Sequence, residues 1–255
     1  MSLHVRQLVK HFGGVQAVKG VSFEVHPGEC VALIGPNGAG KSTTFACIAG
    51  QHGLTHGEVR WAGQRIDRLT PARRQKLGVA RTFQVAQTFE ALTVLQNLQL
   101  LKTAPRGLKA WNVLDRCAVE AAREGLEQVG LQDLAQADAR DLPYGAKKRL
   151  ELAMALAGLP DTGARLLLLD EPAAGLAAPE RAQLMAQVTA LARSGVAVLY
   201  TEHNMDAVFG VADRVLALID GQLAAAGTPQ DVARDATVRS RYLGQGFEAQ
   251  EIPHA

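Results

Sequence analysis

Apolar and polar positions follow three different rhythms along this chain. The first 60 residues carry short apolar-rich runs, HVRQLV, AVKGVSFEV, CVALIG and EVRW, broken by Gly, Pro and polar residues, which predicts short strands of a mixed sheet. VALIG leads into GPNGAGKSTTFACIAG; an apolar strand, a Gly-rich loop and a helix ending at Gly50 are predicted there. From Leu92 to Leu159 the period lengthens to that of a helix, as in AVEAAREGLEQVGL, and a helical insertion follows. Strand runs resume at RLLLLD, VAVLYTEH and DRVLALI, with the helical PERAQLMAQVTALARS between the first two. Strands alternating with helices predict a largely parallel sheet covered on both faces. Asp220-Gly221 reads as a two-residue hairpin turn, and the end, GQGFEAQEIPHA, is polar.

Composition narrows the picture. Over 255 residues, 47% apolar and 20% charged side chains describe a globular chain rather than a disordered one. The net charge of +2 leaves no footprint for nucleic acid, so phosphate binding must be local. No apolar run approaches the roughly 18 residues needed to span a bilayer, and the amino terminus has no signal-peptide apolar region. Cys30, Cys47 and Cys117 lie far apart without a C-x-x-C spacing; they read as small buried hydrophobes of a reducing compartment.

The chemistry concentrates in a few segments. Gly35-Pro-Asn37-Gly38-Ala39-Gly40-Lys41-Ser42 fits G-x-x-x-x-G-K-[ST]. In such a loop backbone N–H groups, continuing through Thr43 at the helix start, turn toward phosphates, Lys41 supplies a point charge and Ser42 can ligand Mg²⁺. Asp170 and Glu171 end the buried run LLLL, at the strand end where α/β sheets carry their ligands. Asp170 would hold Mg²⁺ directly or through water, and Glu171 could orient and deprotonate the attacking water. Gln84, after the short strand GVARTFQ, can touch Mg²⁺ or its water. His203, just after VAVLYTE, can reach a γ-phosphate.

The order GPNGAGKST, RTFQ, LPYGAKKRLELAMALA, LLLLDEPAAGL and TEH resembles the ATP-binding cassette proteins, the ATPase subunits of ABC transporters, over nearly the whole chain. The resemblance implies an α/β phosphate-loop cassette with a mixed, mostly parallel sheet. Its core would comprise residues 1–84 and 150–227, with a helical subdomain at 85–149 and a helical tail at 228–255. It implies ATP and Mg²⁺ as cofactors, with Phe12 stacked on adenine and Val18 beside it; a core Phe at a strand end is the rival reading. Family members close ATP between two cassettes placed head to tail, each presenting a signature, usually L-S-G-G-Q, to the other's nucleotide. Here that stretch is Leu142-Pro143-Tyr144-Gly145-Ala146, so Pro143 replaces the signature serine, while Gly145 and the helix start remain. Where many cassettes have an Asp near the dimer seam, this chain reads Gly175-Leu176-Ala177.

The implied activity is Mg²⁺-dependent ATP hydrolysis coupled to membrane permease subunits on the cytoplasmic face of the membrane. A second cassette, of the same or a different chain, would complete the dimer, and a solute-binding protein would act at a distance. The tail, FGGVQAVKGVSFEV and L-P-Y-G resemble the subgroup that imports branched-chain amino acids. A lipopolysaccharide or lipid exporter cassette, a soluble cassette protein and a nucleotide-binding regulator without turnover remain alternatives. Phe89, Leu92, Val94 and Leu95 either dock a permease helix or pack in the core, and Lys147-Lys148-Arg149 reads as a solvated face.

Overall fold

Three short runs with every residue buried, β3 (Cys30–Ile34), β7 (Leu166–Asp170) and β8 (Ala197–Thr201), form the centre of the structure. The structure, a computed structural model, describes residues 1–82, 87–103 and 118–244; Gln84, Cys117 and the polar tail from residue 245 lie outside the described residues. Continuous burial is what a strand needs when both faces of its sheet are covered. With β6 (Val79–Arg81), β9 (Arg214–Ile219) and β10 (Gln222–Gly227), these strands build a six-stranded sheet of order β10-β9-β3-β8-β7-β6. All its pairings are parallel except the β9–β10 hairpin. Asp220 and Gly221 turn that hairpin with φ of 48° and 79°, the pair of positive φ values of the predicted turn.

A second sheet is antiparallel: β1 (Leu3–Phe12), β2 (Val15–Val25), β4 (His56–Trp61) and β5 (Gln64–Arg65), in the order β2-β1-β4-β5. The amino-terminal strands thus divide between two sheets, since β3 leaves its sequence neighbours to pair with β8 and β9.

Side chains alternate across the large sheet and so feed two cores. Val31, Leu33, Leu166, Leu168 and Leu199 pack with Leu3, Val5 and Trp61 of the antiparallel sheet and with Phe45 and Ile48 of α1 (Lys41–Ala49). Ala32, Ile34, Leu167, Leu169, Val198 and Tyr200 face the other way. There they meet Leu184 and Val188 of α6 (Ala178–Arg193) and the helical insertion. The insertion comprises α3 (Val94–Thr103), α4 (Val119–Gln128) and α5 (Tyr144–Ala157), which pack on one another through Leu98, Leu126 and Leu150. Helix α5 runs unbroken past residue 150 and also touches β6. Two short helices, α2 (Pro71–Lys76) and α7 (Met205–Phe209), fill the joints. A carboxyl-terminal run of α8 (Pro229–Arg234), α9 (Ala236–Val238) and a π-turn at Arg239–Leu243 packs beside β10. Among the described residues no helix is long and apolar enough to cross a membrane.

Two surface readings change with the structure. Lys148 is buried, 3.5 Å from Glu151, and Arg149 donates to the Val129 and Gly130 carbonyls; the basic run is therefore not a solvated face, because α5 turns Lys148 inward onto the sheet. Val94 and Leu95 are core residues, whereas Phe89 is 45% exposed.

Arg74 of α2 fixes the far end of α1. Its guanidinium is buried and donates to the carbonyls of Cys47 (2.7 Å), Ile48 (2.6 Å), Leu69 (3.0 Å) and Asp67 (3.0 Å). Burial pushes its pKa down from the usual arginine value, against the pull of Asp67. The charge is tolerated because four carbonyl dipoles, two of them at the negative end of α1, replace its water. Arg74→Met keeps volume and strands those carbonyls. Stability should fall by about 2–4 kcal/mol, read as a lower urea midpoint with an unchanged slope.

Candidate nucleotide site

Parallel pairing brings the carboxyl ends of β3, β7 and β8 to one edge of the sheet, and the predicted chemistry sits there. The loop from Gly35 to Gly40 leaves β3 and enters α1. At Gly35, with φ of 146°, a Cβ would stand 2.0 Å from the Leu218 carbonyl oxygen; the loop lies directly on β9, and only glycine fits. Gly38, with φ of 81°, faces open space, where an added Cβ would meet nothing within 4 Å. Gly40 caps α1 with no side-chain acceptor, so the first N–H groups of α1 face the loop's concave side with the positive end of the helix behind them.

Lys41 is buried and folds back over the loop, donating from Nζ to Gly35 O (2.6 Å) and Pro36 O (3.1 Å). Burial lowers its pKa, opposed by the charges of Glu171 and Asp170. Asn37, Gly38 and Ser42 are exposed at the rim and Thr43 is half-buried. The side chain of Ala39 instead lies in the core, and its N–H already turns to Pro36 O at 3.2 Å. Val18 is likewise fully buried, with a methyl 3.4 Å from where a Gly40 Cβ would stand. Val18 thus lies against the loop from below, with its side chain enclosed.

Phe12 is 44% exposed at the tip of the β1–β2 hairpin, cross-strand from Val15, so it is not the core residue of the rival reading. Its ring meets His52 edge-on at 5.2 Å and Lys10 Nζ at 4.8 Å. From Val15 to Val18, at the loop, is three residues of strand, about 10 Å, comparable to the span between a nucleotide's base and its phosphates.

Asp170 and Glu171 take different roles in the structure. Asp170 is buried; its Oδ1 accepts from Thr201 Oγ1 (2.9 Å) and its Oδ2 from Arg81 Nη2 (2.7 Å). Glu171 lies at φ 48°, a strained conformation for a residue with a side chain. Its N–H donates to Thr201 Oγ1 (3.0 Å), and its Oε1 is hydrogen-bonded to His203 Nε2 at 2.7 Å. The structure thus joins two residues that the sequence placed 32 positions apart.

Three contributors escaped the sequence reading. Glu202 is buried and accepts the N–H groups of Ala173 (2.7 Å) and His203 (3.2 Å), tying the turn after Glu171 to the segment holding His203. Burial raises its carboxyl above the usual range; its only signal was its place inside T-E-H. Arg81 showed only as a lone basic residue at a strand end. Tyr242, in the terminal π-turn, has burial pushing its hydroxyl upward, opposed by the backbone of Gly35. Neighbouring Arg241 pairs with Asp220 at 2.7 Å, whose turn partner Gly221 donates to Ala39 O (3.1 Å).

Pro143, Tyr144 and Gly145 stand elsewhere. Pro143 caps α5 without a side-chain hydrogen bond, a Cβ on Gly145 would sit 2.5 Å from Glu180 Oε1, and the Tyr144 ring lies over Gly175. None of these neighbours belongs to the phosphate loop. Gln84 lies outside the described residues.

Residues 18–174 match the sequence profile of the ABC transporter family. The high-affinity branched-chain amino acid transport ATP-binding protein LivG of Escherichia coli K12 is 37% identical over 253 residues, covering 95% of this chain and 98% of its own length. BraF of Pseudomonas aeruginosa, described in the same words, is 37% identical over the same shares. The ribose import ATP-binding protein RbsA 1 of Rubrobacter xylanophilus is 36% identical over 249 residues, 97% of this chain but 48% of its own length. Among solved structures, MJ1267, an ATP-binding cassette of an ABC transporter in its ADP conformation, superposes with a TM-score of 0.83 at 31% identity, covering 96% of this chain and 100% of that one. A nucleotide-free cassette from an ABC transporter gives 0.83 at 30% identity over the same shares.

The two loop glycines should separate in a mutational test. Gly35→Ala drives a methyl into the β9 backbone and should destabilise the fold by more than about 3 kcal/mol. Gly38→Ala meets only the left-handed strain, about 1–2 kcal/mol. Urea unfolding of both variants checks the order.

Proposed function

The chain belongs to the ABC transporter family, and on that footing we propose that it is the ATP-hydrolysing subunit of an importer of branched-chain amino acids. The observation that carries the reading is the Glu171–His203 pair, set at the carboxyl ends of β7 and β8 beside the phosphate loop. Identity to LivG and BraF along nearly the whole of both chains supports the solute class. The partners are then membrane permease subunits and a second cassette, with a solute-binding protein on the other side of the membrane. The cassette works at the cytoplasmic face.

The site suits ATP and Mg²⁺ chemically. The open face at Gly38, the uncapped start of α1 and Lys41 form a cradle for polyphosphate. Ser42 and Asp170 offer only oxygen donors, as a hard divalent cation prefers. When bound, Mg²⁺ neutralises charge building on the β- and γ-phosphates. Backbone N–H groups of Gly38 and from Gly40 to Thr43 hold the phosphates, and Lys41 exchanges two loop carbonyls for phosphate oxygens. Phe12 covers the base from the hairpin tip. Glu171 accepts a proton from the attacking water as the new P–O bond forms and the bond between β-phosphate and γ-phosphoryl breaks, giving ADP and phosphate. His203, bonded to Glu171, holds that carboxylate in line and contacts the γ-phosphate. Gln84 follows β6 closely enough in sequence to join the cation. Pro143, Tyr144 and Gly145 serve the nucleotide of the second cassette.

Lys41→Ala should abolish ATP binding in a titration at physiological salt; unchanged affinity contradicts the assignment. Glu171→Gln should keep ATP bound and lose turnover by at least about a hundredfold, whereas normal residual kcat with lost affinity contradicts the role of Glu171. Pro143→Ser restores a hydroxyl donor to the signature. ATPase of the assembled transporter should rise about tenfold, the rate equivalent of one charge-assisted hydrogen bond. No change in steady-state turnover would show that backbone donors suffice there.

A further inference from the structure

Asp170 is a buried carboxylate that already holds a cation made of protein. The Arg81 Nη2 to Asp170 Oδ2 distance is 2.7 Å, with both side chains nearly enclosed, at 12% and 9% exposure. Arg81 is itself built in: Nη1 donates to Gln51 beyond the end of α1, and the guanidinium carbon lies 6.0 Å from the Phe45 ring centroid on α1. It therefore spans from the phosphate-loop helix to the metal carboxylate. The other oxygen of Asp170 is occupied by Thr201 Oγ1 at 2.9 Å, so any divalent cation reaching Asp170 meets a carboxylate with a partner at each oxygen.

We propose that Arg81 is a positioning residue that stands in for the divalent cation at Asp170, holding the carboxylate in place while the metal is away and competing with the metal when it arrives. The inference rests on the functional reading above, since it presumes that Asp170 serves Mg²⁺. Two positive charges then share one carboxylate, and their repulsion in a poorly hydrated site weakens metal binding. Removing the arginine charge should tighten the metal, the opposite of what general damage to the site would do.

The test is a titration of the full chain, saturated with ADP, by Mn²⁺ in place of Mg²⁺, with free Mn²⁺ counted by electron paramagnetic resonance. Arg81→Gln should bind Mn²⁺ about tenfold more tightly than the unmodified chain. Arg81→Lys keeps a charge but loses the planar fork that reaches Gln51 and Asp170 together, and should tighten Mn²⁺ by about threefold. Unchanged or weaker Mn²⁺ binding in Arg81→Gln overturns the proposal; if that variant does not fold, the same outcome in Arg81→Lys overturns it. ADP affinity measured without metal separates the two levels. An unmodified chain that binds no ADP sinks the functional reading, whereas normal ADP binding with Mn²⁺ affinity indifferent to Arg81 sinks this inference alone.

Discussion

The site edge of the large sheet depends on giving one buried carboxylate its partners where water scarcely reaches. Asp170 ends a strand whose every residue is buried, and a carboxylate there needs partners to replace the water it loses. The fold surrounds it with partners from the two strands that flank β7. Arg81 comes from β6 and Thr201 from β8, while the Asp170 N–H is directed at Thr82 Oγ1, just beyond β6 (3.4 Å). Those contacts exist only if β6, β7 and β8 lie side by side in register, so the parallel order of the sheet is itself part of the site's electrostatics. The same order sets Lys41, from the loop after β3, within reach of the field of both Asp170 and Glu171.

A second constraint runs through the backbone rather than through charge. The phosphate loop rests on β9 closely enough that Gly35 admits no side chain, and β9 is held in turn by β3 on one side and the β10 hairpin on the other. Gly221 of that hairpin bonds to both Ala39 and Lys19, joining the loop to the antiparallel sheet. The terminal π-turn closes the same joint from outside through Tyr242 and Arg241. The exposed Arg241–Asp220 pair adds little by itself; Tyr242 matters more, since it is partly buried against the core and faces Gly35. The conformation of the loop is thus determined by four segments distant in sequence, and Arg74 secures the other end of the helix that the loop opens.

What the sequence made legible was whatever is written locally. The apolar runs at β3, β7 and β8, the strand–loop–helix unit ending at Gly50 and the Asp220-Gly221 turn each carry their cause within a few residues, and each has its predicted form. The division into two sheets was not legible, because β3 abandons adjacent strands for partners more than 160 residues away. Arg81 and Glu202 were passed over, and Lys148 was read as solvated, for the same reason: a charged letter has no meaning until the fold supplies its partner. Phe12 and Val18 show the limit from the other side. Both sit near the loop, yet the alternation of β2 buries Val18 completely while the hairpin tip leaves Phe12 to solvent.

The signature region shows how a substitution can alter the chemistry of a site while leaving its geometry usable. Pro143 has no donor, but its fixed φ suits the entry to a helix, and α5 starts immediately after it. Gly145 packs on Glu180 at the start of α6, and Tyr144 lies across Gly175 in the turn that follows Glu171. The start of α5 is therefore tied to the segment that carries Glu171 of its own chain. With no side chain capping it, the first turn of α5 has backbone N–H groups and the positive end of a 14-residue helix to present. A phosphate held by a second cassette would meet a dipole there in place of a hydroxyl. A dipole binds an anion with less directional demand than a hydroxyl hydrogen bond, so in the proposed assembly the loss of the serine weakens discrimination at the γ-phosphate more than it weakens attraction to it.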